Sequence, residues 1–175
     1  FEYLNNLIHG DLGISLNTEE PVKIIISKAL PASIELAISA ILIASLIGYF
    51  IGFLGALRPE GKIDLFGRIF GIGTYSIPPF WAAMLIQIIF AVLLGWFPIG
   101  GRFPPGMNSP PTVTGFLILD SILSKNIEII FGSFRYLILP SITLGILLSG
   151  IFSRSIRLNL GEILRKDYIE AAKSR

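Results

Sequence analysis

Apolar residues fall into three long runs, separated by charged or proline-rich stretches. No charged residue occurs from 36 to 57, and at ~1.5 Å rise per residue a helix of this length crosses a hydrocarbon core of ~30 Å. The pattern therefore predicts a first span over about 32–57, with Pro31 in the opening helical turn, where its missing N–H costs nothing. Glu35 would share that turn, where the helix dipole favours an anion. A second run, 69–94, contains S-I-P-P-F-W at 76–81. Tandem prolines remove two backbone donors and crowd the preceding turn, so this helix must kink or break. The third run, 136–153, lies between Arg135 and Arg154. Its roughly 18 uncharged residues just suffice to span if both arginines snorkel, with Pro140 in the first turn. The fold class expected is all-α, a polytopic membrane helical bundle.

The stretches between the runs are of several kinds. Residues 1–30 mix apolar and polar types and read as an external segment, with G-D-L-G at 10–13 marking a tight turn and Pro21 another break. V-K-I-I-I-S-K-A at 22–29 is a short amphipathic helix, suited either to a membrane interface or to packing on protein. Residues 58–68 form a charged hairpin loop. From 95 to 115 the chain is rich in Gly, Pro and Ser, with Trp96 at the water interface. Residues 116–130, with Asp120, Lys125 and Glu128, read as a short surface helix. A loop this long suits contact with an external partner or cover for a pathway. Gly48 and Gly52 form G-x-x-x-G, with Gly55 beyond, and Gly145 and Gly150 recur in the third run. Such glycines permit close helix packing, in a dimer or within one bundle. Gln87 could hydrogen-bond across helices.

Beyond Arg154 the apolar run ends and a charged helical segment begins. Leu160, Ile163, Leu164, Tyr168, Ala171 and Ala172 follow one helix stripe, with Glu162, Arg165, Lys166 and Lys173 around it and Ile169 pointing away. Asp167 and Glu170 have the D-x-x-E spacing that caps a fresh helix. Ala171 and Ala172 then leave little side-chain bulk, so another surface could approach this helix closely. An ordinary juxtamembrane helix fits the same residues.

Composition agrees with lipid as the solvent. The 175 residues are 53% hydrophobic and 15% charged, against roughly 25% charged in soluble domains. The net charge of +2 is too small and scattered for nucleic acid. Cys is absent, which removes disulfides and thiolate metal sites. Arg58, Lys62, Arg68, Arg154, Arg157, Arg165, Lys166, Lys173 and Arg175 lie on one side of the expected spans. Lys23, Lys28, Arg102, Lys125 and Arg135 lie on the other. By the positive-inside rule 58–68 and 154–175 are cytoplasmic, while 1–30 and 95–135 are external. The chain starts at Phe1 without Met and stops inside a helical segment, so a fragment open at both ends is expected.

Chemistry of its own is hard to find in this chain. Residues 55–62 approach a phosphate-binding loop, but G-x-x-x-x-G-K-[ST] needs one residue fewer between the glycines and a hydroxyl where Ile63 stands. An ion-coupled secondary carrier, the alternative transport class, needs an ionisable group deep in a span, and none lies away from the span ends. An intramembrane enzyme needs a nucleophile with its base or a metal cluster. The single His, His9, lies outside the spans, so no catalytic or metal site is expected. Irregular backbone at membrane depth is tolerated where protein or a water-filled cavity satisfies it. Thr74, Ser76, Pro78, Pro79, Phe80 and Trp81 are thus candidates for the wall of a translocation path, although a kink that only improves packing fits equally.

Six motifs occur in a telling order: G-D-L-G-I-S at 10–15, L-P-A-S-I-E-L-A at 30–37, Y-S-I-P-P-F-W at 75–81, L-G-W-F-P-I-G-G-R at 94–102, L-I-L-P-S-I-T-L at 137–144 and R-S-I-R at 154–157. With D-Y-I-E-A-A-K-S-R at 167–175, the chain resembles the transmembrane permease subunits of binding-protein-dependent ABC importers, in the dipeptide and oligopeptide group. The resemblance covers nearly the whole chain. It implies a type I importer permease fragment, holding the second to fourth of six transmembrane helices, in the plasma membrane. The family's EAA motif continues with a glycine past the position of Arg175. In that family this loop is a coupling helix seated in a groove of a cytoplasmic ATPase subunit. Carried over by position, Glu170 would be the charged contact, Ala171 and Ala172 the close-packed ones, and Asp167, Tyr168 and Ile169 the lead-in. The resemblance also implies a second permease subunit, two ATPase subunits and an external solute-binding protein. No cofactor would bind this chain, ATP and Mg belonging to the ATPase. Peptides are the substrate class implied, although related permeases carry sugars, nickel or glutathione.

Overall fold

The computed structural model describes Leu4, residues 7–106 and residues 109–164. Helix α1 is Val22–Leu57, α2 is Lys62–Ser76 and α3 is Pro79–Gln87, which continues as a π-helical segment, Ile88–Leu93. Helix α4 is Leu117–Leu123 and α5 is Ile127–Leu164. Strand-like pairing among the described residues is limited to an isolated bridge between Ile14 and Pro21.

Several expected boundaries shift, in one direction. The amphipathic stretch at 22–29 and the first span are one helix, with Pro31 inside it rather than in its opening turn. The hairpin loop shrinks because α2 already starts at Lys62. The surface helix expected over 116–130 ends at Leu123, and from Ile127 the chain is already in α5, with Pro140 inside that helix. The physical reason is cooperativity. Once nucleated, a helix gains a bond for each residue added, so a single proline, costing ~3 kcal/mol, is absorbed where stopping would require a second nucleation. Helices of 36 and 38 residues are about 54 and 57 Å long. Both exceed a hydrocarbon core of ~30 Å.

The second span behaves otherwise. Ile77 is extended at φ −89° and ψ 122°, the conformation forced on a residue before proline, and Pro78 follows at φ −60° and ψ 130°. Pro79 then sits at the start of α3. The two arms, Lys62–Ser76 and Pro79–Leu93, are bent by 96°. One proline is tolerated in α1 and in α5, whereas two in succession break the rod.

Contacts divide the described residues into two compact units. One gathers Phe1–Leu36 with Arg102–Phe134. In it the tight turn at Gly10 and Gly13 is present, both with positive φ (81° and 74°), and Asp11 Oδ1 accepts the Gly13 N–H at 2.9 Å. Helix α4 is fixed to the first turns of α5 by a buried hydroxyl pair, Ser121 to Ser133 at 2.7 Å.

The other unit gathers Ala37–Gly101 with the described residues from Arg135 onward. Its core is made of small residues. On α1, Ala40, Ala44, Gly48, Gly52 and Ala56 are buried at four-residue spacing. On α5, Ser141, Gly145, Ser149 and Ser153 are buried at the same spacing. Large side chains such as Ile38, Leu42, Leu46 and Phe50 are exposed on α1. A water-soluble protein sorts residues the other way; burying the small and exposing the large is how helices pack in lipid.

Candidate functional site

The glycines set how closely the helices of this second unit meet. A Cβ on Gly52 would lie 2.6 Å from the Ser153 carbonyl oxygen, and one on Gly48 would lie 2.8 Å from that of Ser149. So G-x-x-x-G serves packing of α1 on α5 within one bundle. Gly145 faces the Ala40 carbonyl oxygen of α1 in the same way, at 3.2 Å. Gly150 turns to α2: a Cβ there would run into Thr74 Oγ1 and stand 3.1 Å from the Gly71 Cα.

At the charged end of α2, Asp64 organises a cluster that the sequence reading passed over. Its side chain is 7% exposed, and Oδ2 accepts the Glu60 backbone N–H at 3.1 Å. Arg68, one turn on, lies 3.0 Å from Oδ2, and Arg157 of α5 lies 3.3 Å from Oδ1. An acid in the first turn of a helix suits the helix dipole, and two guanidinium groups compensate its burial. The signal available in the sequence was an aspartate one turn before Arg68, in a stretch of mixed charge with Arg58, Glu60 and Lys62. Its second partner comes from R-S-I-R, 93 positions away, and no local pattern connects them.

Between α2 and α5 runs an open groove of about 820 Å³, lined by Gly71, Ile72, Tyr75, Ser76, Gly150 and Ile151, with Arg68, Arg154 and Arg157 at one end. Of the candidate path residues, only Ser76 lines it, its hydroxyl donating to the Ile72 carbonyl at 2.8 Å. Thr74 is spent on packing against Gly150 and on a bond to the Gly71 carbonyl at 3.1 Å. Pro78, Pro79, Phe80 and Trp81 are exposed at the break and the start of α3. Gln87 does not reach a neighbouring helix; its amide donates to the Ile99 carbonyl in the following loop. Arg135 likewise finds a local partner, the Trp96 carbonyl at 3.0 Å.

Carboxylates in the other unit hold its loop. Glu35 lies well inside α1, so its role is not in that helix's dipole. It accepts from Arg102 at 2.8 Å and from the Ile118 N–H at 2.6 Å, in the first turn of α4. Asp120 is buried, and four donors converge on it: the backbone N–H groups of Val113, Thr114 and Gly115 and the Thr114 hydroxyl, at 2.7–3.3 Å. Burial pulls its pKa up, but bonds from Thr114, Gly115 and Val113 outweigh that and leave it below its ordinary value. Asp120 is thus a knot for the preceding loop rather than a surface residue.

The expected coupling residues, Asp167, Tyr168, Ile169, Glu170, Ala171 and Ala172, lie outside the described residues. What is described is their approach: α5 continues without interruption from the third apolar run through Arg154 and Arg157 to Leu164.

Comparison with known proteins identifies the family. The chain is 38% identical to the probable D,D-dipeptide transport system permease protein of Escherichia coli (strain K12), over 99% of this chain and 51% of that protein. It is 36% identical to the dipeptide transport system permease protein of Alkalihalophilus pseudofirmus and 34% to the di/tripeptide transport system permease protein of Pseudomonas aeruginosa. Each of these matches covers 99% of this chain and 52% of the relative, so the chain spans about half the length of the curated relatives it matches. Residues 44–175 match the family described as the binding-protein-dependent transport system inner membrane component. They take in the small-residue stripe of α1 from Ala44 onward, that of α5, the break at Pro78 and α5 to its charged end, and the chain belongs to that family.

Proposed function

We propose that this chain is part of the permease subunit of an ATP-driven importer, forming a share of the translocation path for peptides handed over by an external binding protein. A second permease subunit completes the path, and two cytoplasmic ATPase subunits supply the energy. ATP and Mg are held by those subunits, and this chain does no chemistry. The peptide class is taken from the relatives, whose names specify dipeptides, D,D-dipeptides and di- or tripeptides. Residues 58–68 and 154–175 face the cytoplasm, where most of the basic residues lie.

One observation carries the reading: α5 is a single rod of 38 residues that packs along α2, and α2 ends at the break before Pro78. Asp167, Tyr168, Ile169, Glu170, Ala171 and Ala172 follow α5 in sequence and form the contact with the ATPase. Closure of the ATPase pair on ATP pulls that contact, and a rigid α5 conveys the displacement to the region of Thr74, Ser76, Pro78, Pro79, Phe80 and Trp81. This is rigid-body alternating access. The test uses the full-length permease assembled with its partners in vesicles. Glu170→Lys is expected to lower uptake per ATP hydrolysed by about tenfold, with membrane insertion unchanged. Uptake equal to the unaltered transporter removes the coupling role, and uptake without ATP that follows an ion gradient replaces it with a secondary carrier.

A further inference from the structure

Asp64 has no part in the path or in the ATPase contact, yet it is only 5% exposed and touches two arginines. We infer that Asp64 is a positioning residue that locks α2 to the end of α5 through Arg157, so that displacement of the coupling segment reaches the break at Ile77 and Pro78. The inference rests on the coupling reading above and names the residue pair through which it works.

The argument starts from what separating the two helices would do. Moving α2 away from α5 takes Arg157 from Oδ1 and leaves a buried carboxylate with half its charge compensation, which is strongly unfavourable. Arg68 cannot substitute, because it belongs to α2 and moves with it. Arg157 meets Oδ1 as an ion pair, without a hydrogen bond, from a side chain only 23% exposed, and Oδ1 has no hydrogen-bond partner among the described residues, so the guanidinium charge is what compensates that oxygen. Above this lock the helices meet nearly backbone to backbone. A Cβ on Gly67 would sit 3.7 Å from Ser153 Oγ, and Gly150 stands against Gly71 and Thr74. At Gly150, Gly71 and Thr74 the two backbones touch with almost no side chain between them to yield, although the groove described above opens along one edge of this contact. From Asp64 to Ser76 α2 is about 18 Å long, with the lock at one end and the broken span at the other. A shift of α5 is therefore delivered at Ile77, where the extended backbone and two prolines form a joint. On the other side Asp64 holds the Glu60 N–H, and Glu60 is itself in the left-handed region at φ 64°. The short loop to α1 is thereby tied to the same point.

The experiment measures uptake and ATP hydrolysis in parallel, in vesicles holding the full-length permease with its partner subunits. Asp64→Asn and Arg157→Gln are each expected to lower uptake per ATP by about tenfold. The double variant should be no worse than either single one, since each change alone already opens the lock. Arg157→Lys should retain most of the ratio. A role in folding alone would reduce uptake and hydrolysis together and leave their ratio intact, which overturns the inference. If Asp64→Asn does not assemble, the pair Arg157→Gln and Arg157→Lys decides by the same ratio. Glu170→Lys serves as the reference. Should it uncouple while the Asp64 and Arg157 variants keep the normal ratio, the lock is refuted and the coupling reading stands. Should Glu170→Lys keep the normal ratio, the coupling reading fails and the inference falls with it.

Discussion

The two units of this chain hold themselves together by opposite means. In the unit built from Ala37–Gly101 and the described residues from Arg135 onward, most buried positions of α1 and α5 are alanine, glycine and serine, with Leu139 and Thr143 the larger exceptions, and helices approach because there is little between them. In the unit that includes Arg102–Phe134, two carboxylates draw in backbone N–H groups, the Thr114 hydroxyl and an arginine, so a loop is organised by charge. In hydrocarbon, apolar side chains gain nothing by leaving lipid for protein, so close van der Waals contact must hold helices together. A polar loop has the reverse problem: its donors need acceptors, and a carboxylate with several convergent donors meets that need in one place. Adding volume should therefore harm the first unit, and removing charge the second.

The largest effect should come from volume. Gly52→Ala places a methyl 2.6 Å from a backbone carbonyl oxygen and 3.0 Å from the Ile156 Cβ, and neither can move without displacing α5. A cost of about 1–3 kcal/mol is expected, read as a lower thermal midpoint in detergent. Gly73→Ala is the matched control. Nothing lies within 4 Å of its would-be methyl, and the helix should gain about 1 kcal/mol from the better propensity. If both substitutions behave alike, the glycine seam is not what holds these helices.

A smaller and more local effect should follow loss of charge at Asp120. Its carboxyl is held below the ordinary value of 3.8, so the stabilisation it gives is fully present above that pH. It is lost only as pH falls through the lower folded value. Hydrogen exchange at Val113, Thr114 and Gly115 should stay slow through neutral and mildly acid pH and quicken below that. In Asp120→Asn it should be fast at every pH, with α1 and α5 unaffected. Slow exchange in the variant would show that the loop is held by its own backbone.

Much of this was legible in the sequence, for reasons that also mark the limit. The two long apolar helices, the break at Pro78, the close-packing glycines and the turn at Gly10 each depend on a few adjacent residues or on one helical period. Helix ends were missed where a lone proline looked like a boundary, as at Pro31 and Pro140, because the cost of ending a helix is set by the whole rod. The serine stripe on α5 was missed as well, since Ser141, Ser149 and Ser153 count as polar although in lipid their smallness is what matters. Asp64, Glu35 and Asp120 differ again. The carboxylates were visible, but two of their arginine partners are 67 and 93 positions away, and Asp120 is distinguished only by how the loop before it folds back.

Glu35 gives the finest probe of the contrast, because it belongs to the long apolar helix by sequence and to the charged loop by contact. Its pair with Arg102 is half open to solvent on the arginine side, with 44% of that side chain exposed, so the Coulomb part is screened and worth under ~1 kcal/mol. The bond to the Ile118 N–H does not need a charge, since a glutamine carbonyl can accept it. Glu35→Gln should therefore leave α4 in place and lower the midpoint only slightly. Glu35→Leu should free both Ile118 and Arg102 and speed exchange at Ile118. Equal effects of the two would mean that the charge matters more than the acceptor, and would place Glu35 with the ion-paired Asp64 rather than with the backbone-holding Asp120.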